Sequence, residues 1–346
     1  MKTPVIDTET RSFATVRDLE YLEAMDKHGT MEKAAEALGV GKTAVSNAIK
    51  RLRTRAGLAP SDEGHAPQKM VGSGKKILVL PDVQAKPGHD FSYLMRIGQY
   101  AVEKKPDIIV CIGDFADLPS LSTYDKGKKS FEGRRYKRDI EAAKEAMSAF
   151  LTPMVDYNAA HPKRPYKPRM VLTLGNHEHR INRAVEDDAK LDGVMSIDDL
   201  QYKDFGLEVI PFLEVIVIEG VAFAHYFTTG LMGRPAGTAA AQLRKTSMSC
   251  FAGHQQGKQI AYAYRADGST ITSIVSGSCY EHNEDYLGFQ GNRHWRGFWM
   301  LHEVVDGAFD EMPVSLGFIN KRYAHLRVAP DYSKEHEPVP QPEGMR

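Results

Sequence analysis

Downstream of residue 75, one apolar run after another ends in a side chain able to bind a divalent cation. Asp82 closes "LVLPD", and Asp114 and Asp117 follow "VCIG" in "GDFAD". Asn176 and His177 stand in "GNHE", His225 in "AFAHYF" and His254 in "AGHQQ". Each has a bland explanation alone: an Asp after a strand commonly caps a turn, and an isolated His is commonly a satisfied core or surface group. The ordered series, with glycines directly ahead of some members so that the backbone can turn sharply, is not what capping produces. Catalytic groups of α/β folds collect at the carboxyl ends of strands, where loops converge. Asp, Asn and His together suit a divalent metal of intermediate hardness, such as Mn²⁺, Fe²⁺ or Zn²⁺.

The elements that must carry these residues follow from periodicity. "KILVLPD", "DIIVCIGD" and "MVLTLGN" read as buried strands. Between them lie an amphipathic helix over "FSYLMRIGQYAVEKK" and a long helix from about residue 134 to 158. That βαβαβ order favours a parallel sheet covered by helices. After Phe205 the pattern turns to strands: "LEVIVIEGVAFAHYF", "CFAGHQ", "KQIAYAYRADGSTITSIVSGS" with its Asp-Gly turn, and "RGFWMLHEVVDGAF". One helix near residues 237–245 interrupts them.

Residues 1–58 are helical in pattern. "RDLEYLEAMDKHG" places Leu19, Leu22 and Met25 on one face and ends at Gly29. Thr30 caps "MEKAAEALG", and a third helix follows in "GKTAVSNAIKRLRTRAG". Val45, Ile49 and Leu52 form the inward face of that helix. Lys42, Thr43, Ser46, Asn47, Lys50 and Arg51 form its polar, basic outer face, the arrangement of a DNA-reading helix-turn-helix. A helical dimerisation or docking bundle is the competing reading, and DNA contact is favoured. The stretch resembles the N-terminal part of LysR-type regulators through Ala34, Ala35, Leu38, Ala44, Val45, Ser46, Ile49 and Leu52. Residues 59–75, rich in Pro, Gly and Ser, read as a linker, residues 76–328 as the second domain, and 329–346 as a disordered tail.

Composition sets the setting. Lys plus Arg and Asp plus Glu are 45 each, so affinity for nucleic acid must come from local patches. Three cysteines are too few for a disulfide framework and point to a reducing cytoplasm. The N-terminus lacks the apolar stretch of a signal peptide, and no apolar run is long enough to span a bilayer.

The order D-x-Q, G-D-x-x-D, G-N-H-E, H, G-H-x-Q resembles the calcineurin-like metallophosphoesterase superfamily over about residues 76–309. The resemblance implies two facing mixed β-sheets flanked by helices, with a dinuclear metal centre between their loops. Asp114 then bridges the two metals, Asn176, His225 and His254 complete one site, and Asp82 serves the other. His177 is implied as the general acid, with Asp117 holding its tautomer. A metal-activated hydroxide attacks phosphorus, so no nucleophilic Ser or Cys is needed. Members usually carry histidine where this chain has Gln84 and Gln256, both on the same metal. An amide oxygen is a harder, neutral and weaker ligand, so that site should suit Mn²⁺ or Mg²⁺ better than Zn²⁺ and load weakly or stay empty. Mn²⁺ is the expected metal overall, with Mg²⁺, Fe²⁺ and Zn²⁺ as alternatives. A one-metal enzyme and an inactive descendant are the alternatives; intact Asp82, Asp117 and His177 argue against inactivity.

The substrate is read from charge. "GDFADLPS" departs from the G-D-x-x-D-R-G of the superfamily's phosphoprotein phosphatases. Seven of the seventeen residues from Thr123 to Asp139 are Lys or Arg, among them Arg134, Arg135 and Lys137, with aromatics interleaved. Beside a phosphoester-cleaving centre this reads as a polyanion track. Arg180, in "GNHEHR", is a further candidate phosphate contact unless it only ends a turn, and "GNRHWRGFW" is a second candidate surface unless its tryptophans are core. The expectation is a metal-dependent phosphodiesterase, nuclease or end-processing enzyme acting on DNA, cytoplasmic and capable of forming a homodimer. The alternatives are a phosphatase for nucleotides or small phosphoesters, and a catalytically weak DNA-binding regulator.

Overall fold

The computed structural model describes residues 11–12, 14–55, 74–284 and 287–327. The chain divides into two compact units, Met1–Val71 and Gly72–Arg346. The expected linker lies outside the described residues except for its last two positions, and the expected tail lies wholly outside them.

The first unit contains α1 (Val16–His28), α2 (Met31–Ala37) and α3 (Lys42–Arg55). Thr15 caps α1 in a reciprocal pair with Asp18, and Thr30 accepts the Lys33 N–H ahead of α2. Gly29 ends α1 in the left-handed conformation expected of it, φ 77°. Leu22, Met25, Ala34, Ala35, Val45, Ile49 and Leu52 make the core. Leu19 is only half-buried and Tyr21 takes an inward place, because the apolar stripe of α1 is set by packing on α2 and α3 rather than by hydropathy alone.

The second unit begins with β1 (Lys75–Leu80), α4 (Ser92–Lys104), β2 (Ile108–Cys111), α5 (Tyr136–Ala160), β3 (Arg169–Thr173), α6 (His179–Asp187) and β4 (Glu208–Ile210). It continues with β5 (Ile216–Ile218), β6 (Val221–Ala224), β7 (Thr228–Thr229), β8 (Arg234–Pro235), α7 (Ala239–Thr246) and β9 (Cys250–Ala252). The chain then forms β10 (Lys258–Tyr264), β11 (Thr270–Ser276), β12 (Gly297–Val305), β13 (Ala308–Ser315) and α8 (Leu316–Arg322). Six strands form one sheet in the order β13-β12-β1-β2-β3-β4, and five form another in the order β10-β11-β9-β6-β5. β1 to β4 are mutually parallel, with β12 antiparallel to β1. The βαβαβ order gives the parallel part of this sheet, and the final hairpin returning to its edge makes it the mixed sheet that the resemblance implies.

Period-two burial of the strands sends alternate side chains to two cores. Ile77, Val79, Val110 and Val171 meet Phe223, Phe251 and Ile274 of the second sheet, while Leu78, Leu80, Ile109 and Leu172 pack under α4 and α5. Each such fully buried side chain contributes about 2 kcal/mol of transfer free energy. α4 and α5 approach so closely that a Cβ on Gly98 would stand 2.1 Å from the Phe150 carbonyl oxygen.

Candidate metal centre

Parallel pairing brings the carboxyl ends of β1, β2 and β3 to one end of the first sheet, and those of β6 and β9 to one end of the second. The series of polar residues sits at these ends, and it converges. Asn176 Oδ1 is 2.9 Å from His225 Nε2 and 2.7 Å from His254 Nδ1, and Asp114 Oδ2 is 3.3 Å from His225 Nε2. One ligand atom from each of Asp114, His225 and His254 lies within 4.8 Å of the others. His225 Nδ1 donates to the Ile112 carbonyl oxygen at 2.9 Å. Burial opposes its charged form, but the Asp114 and Asp82 carboxylates raise the imidazole to about 9, so Nε2 carries a proton that a bound cation would displace. Carboxylate, amide oxygen and imidazole nitrogens face one another there, a donor set that suits a divalent cation.

The loops reach this geometry only through glycine and strain. A Cβ on Gly175 would lie 2.1 Å from Asp114 Oδ1, and one on Gly253 would lie 2.2 Å from Asp82 Oδ1. Asp82, Gln84, Asp114, His254 and Gln256 all have positive φ, between 21° and 65°. Non-glycine residues in that region cost of order 1–3 kcal/mol each and persist where the surroundings over-determine them.

Asp82 is fully buried and accepts the His254 N–H through both oxygens, at 3.1 and 3.0 Å. Burial pushes its carboxyl up to about 7. Burial acts on Asp114 in the same sense, but the charges of His177 and His225 and their hydrogen bonds outweigh it and hold that carboxyl below its ordinary range. Burial and the neighbouring His225 bring His254 down to about 4, which keeps its imidazole neutral and able to ligate. Gln84 is 1% exposed, and neither its amide oxygen nor its amide nitrogen has a hydrogen-bond partner. A buried amide in that state needs a ligand or water, so Gln84 fits a metal-facing position. Gln256 Oε1 accepts the Tyr280 hydroxyl at 2.8 Å. The residues implied for both metals are therefore compatible with divalent cations, with the poorer donors on the Gln84 and Gln256 side.

His177 Nδ1 lies 2.8 Å from Asp117 Oδ1, off the line of an ideal hydrogen bond, and Nε2 lies 3.7 Å from Asp114 Oδ2. Burial lowers the His177 pKa, but the Asp114 and Asp117 charges prevail and raise it on balance. Arg180, expected on a phosphate, is committed to protein groups. Its Nη1 donates to the Asp117 carbonyl at 2.7 Å, and its Nη2 lies 2.9 Å from His177 Nε2.

Sequence reasoning missed Glu178. This buried carboxylate accepts the N–H groups of Asp114, Ala116 and Gly175, each at 2.9 Å, and the Tyr202 hydroxyl at 3.2 Å. The signal was the acidic residue ending "GNHE", one position beyond the groups read as chemical. Lys86 was missed too. Its Nζ is 2.7 Å from Glu284 Oε1 and 4.0 Å from Asp117 Oδ2.

A cavity of about 1460 Å³ opens over Asp114, Asn176, His177 and His254, and Arg134, Arg135 and Arg138 of the basic segment line it as well. Arg134 also binds the Pro119 carbonyl and Asp125, while Lys137 stands 4.0 Å from Glu141 and is not part of the lining. The tryptophans of "GNRHWRGFW" belong to the core: Trp299 is fully buried, and Trp295 packs 5.5 Å from it. On α3, Thr43, Asn47, Lys50 and Arg51 are exposed and Ser46 is half-buried. Lys42 is paired with Glu32, and Arg51 Nη2 lies 3.8 Å from Asp18 Oδ1.

Residues 75–260 match the calcineurin-like phosphoesterase family model, over more than half of the chain. The chain belongs to that family. The matched region contains every strand-end residue of the centre described above. The chain also matches, over residues 16–59, the family described as bacterial regulatory helix-turn-helix protein, lysR family. It is 28% identical over 145 residues to the Gene 54 protein of Mycobacterium phage D29, covering 40% of this chain and 51% of that protein. It is 33% identical over 106 residues to the Gene 54 protein of Mycobacterium phage L5, covering 31% and 37%. The phosphoesterase thus spans about half the length, or less, of these curated relatives. One solved structure aligns over 70% of this chain at 13% identity with a TM-score of 0.27, too low to carry an argument. Among the described residues no helix is long and apolar enough to cross a membrane.

Proposed function

We propose that the protein hydrolyses phosphoester bonds in DNA, as a phosphodiesterase, nuclease or end-processing enzyme. The observation that carries this reading is one cavity lined both by the Asp114, Asn176 and His254 set and by Arg134, Arg135 and Arg138. A small monoester needs no basic wall beyond its phosphate site, whereas a polynucleotide presents further phosphates to it. The helix-turn-helix match over residues 16–59 supports the same substrate, with Thr43, Ser46, Asn47, Lys50 and Arg51 on the DNA-facing side of α3 and Lys42 at its start. We read the protein as cytoplasmic, and as a homodimer when two half-sites are engaged.

Asp114, Asn176, His225 and His254 would hold one divalent ion, and Asp82, Gln84, Gln256 and Asp114 a second, weaker one, with Mn²⁺ the preferred metal at both. Bound there, such ions supply water activation and neutralise charge developing on the phosphoryl oxygens. His177 delivers a proton to the departing oxygen with Asp117 beside its Nδ1. The Arg180 Nη2, 2.9 Å from Nε2, has to withdraw for Nε2 to carry that proton. Arg180 holds the Asp117 backbone, and with it the position of the carboxylate that orients His177.

The test is hydrolysis of single- and double-stranded DNA, bis-p-nitrophenyl phosphate and p-nitrophenyl phosphate with Mn²⁺. DNA and diester cleavage abolished by Asp114→Asn, and lowered about 10²- to 10⁴-fold by His177→Ala, is expected. Monoester turnover alone would move the assignment to a small-molecule phosphatase. DNA binding without turnover of any substrate would make the protein a regulator.

A further inference from the structure

Behind His89 in the cavity lining stands a short series of rings. Tyr280 is fully buried, the His282 ring stacks on it at 4.4 Å and 16°, and His89 lies 4.6 Å from His282, tilted 36° to it. Exposure rises along the series, from buried Tyr280 through half-buried His282 to exposed His89, which lines the cavity. The middle ring is fixed at its edge: His282 Nε2 is 2.6 Å from Glu284 Oε1, the same oxygen that meets Lys86 Nζ at 2.7 Å. Tyr280 is fixed too, its hydroxyl donating to Gln256 Oε1 and the Arg296 guanidinium lying 5.0 Å from its ring centre. Asn283 lines the same cavity, its Oδ1 held by Arg296, and His294 lines it too with its ring nitrogens held by Ser278 and the Gly291 carbonyl.

We infer that His89 is a stacking platform for a nucleobase flanking the scissile phosphate, so that the cavity takes single-stranded nucleic acid or an unpaired end. This rests on the DNA reading above and names the form of substrate. A duplex keeps its bases stacked on each other, and only an unstacked base has a face free for a protein ring. An anchored ring column ending in an exposed member has already met the ordering cost of the lower rings, so a base adds to it as one more layer. Flanking phosphates then have Arg134, Arg135 and Arg138 within the same cavity.

The probe is a trinucleotide carrying 2-aminopurine, whose fluorescence is quenched by stacking and which is too short for the helix-turn-helix. Titration into the full chain with EDTA present reads binding without cleavage. We expect quenching by the native protein, a dissociation constant raised about tenfold with loss of quenching in His89→Ala, and recovery of both in His89→Phe, in line with about 1–3 kcal/mol per stacked base. His89 is exposed, so the melting temperature should not move and serves as the folding control. Equal quenching by His89→Ala, or none by the native protein at millimolar concentration, overturns the platform. Quenching lost in His89→Ala from a protein that does not cleave DNA upholds the platform while removing the hydrolase reading, so the two fail separately.

Discussion

The Glu178 carboxylate accepts the backbone N–H of Asp114 at 2.9 Å from a position 64 residues later in the chain. Through the same oxygen it holds Gly175, and through the other Ala116, so the loops after β2 and β3 are clamped together by one buried side chain. The distance between Asp114 and Asn176 is therefore set by a residue in neither role.

Glu178→Ala should cost about 3–5 kcal/mol, because it leaves buried backbone donors unpaired. Glu178→Gln, which keeps one acceptor, should lose roughly half of that. Urea denaturation gives the stability, and Mn²⁺ titration should show a parallel loss of affinity although Glu178 is not read as a ligand.

The two amides give a second expectation. Metal analysis of native protein equilibrated with limiting Mn²⁺ should find one tight ion per chain, with a second binding at least tenfold more weakly. Gln84→His combined with Gln256→His should tighten the second site and shift preference toward Zn²⁺, as imidazole replaces amide. Two equally tight Zn²⁺ ions in the native protein would contradict this.

For the proton donor, Asp117→Asn should lower kcat about 10²-fold or more with little change in KM, since the carboxylate acts only through His177. The shift on His177 is upward, so the protonated acid persists above the ordinary imidazole range. The alkaline limb of the kcat profile should lie in that higher range and move to lower pH in Asp117→Asn. A limb unmoved by the substitution would remove Asp117 from this role.

Asp139, buried at the start of α5, tests the fold apart from the site. Burial raises its carboxyl to about 6, although the Ser120 N–H donates to it at 2.9 Å. The folded state thus holds its proton more tightly than the unfolded state, so stability is lost as pH rises from about 4 through 6. Asp139→Asn should remove that fall and stabilise the protein at pH 8 by about 2–3 kcal/mol, at 1.36 kcal/mol per pKa unit. Denaturant melts of both proteins at pH 5 and pH 8 read the difference.

Much of this architecture was legible because the strands are short, buried and closed by chemically distinctive residues. Asp82, Asp114, Asn176, His225 and His254 could be placed at strand ends before any coordinates. The mixed character of the first sheet was legible only through the motif resemblance, since nothing local in "RGFWMLHEVV" says that β12 pairs with β1, more than two hundred residues away. Arg180 lines the cavity, but charge alone does not reveal that the Asp117 and Leu118 carbonyls also hold it. Glu178 escaped because, although it closes "GNHE", nothing in that motif says that its oxygens serve the backbone amides of two loops. The helix over Leu316–Arg322 was also missed, being short and starting on the last residue of a strand pattern.

The left-handed backbone at Asp82, Gln84, Asp114, His254 and Gln256 has an energetic consequence. Glycine would relieve the conformation at each of these places, and a side chain kept there costs of order 1–3 kcal/mol. The loops that gather the site are therefore held in shape by the rigid strands beneath them, and the site's geometry is drawn from the stability of the two sheets.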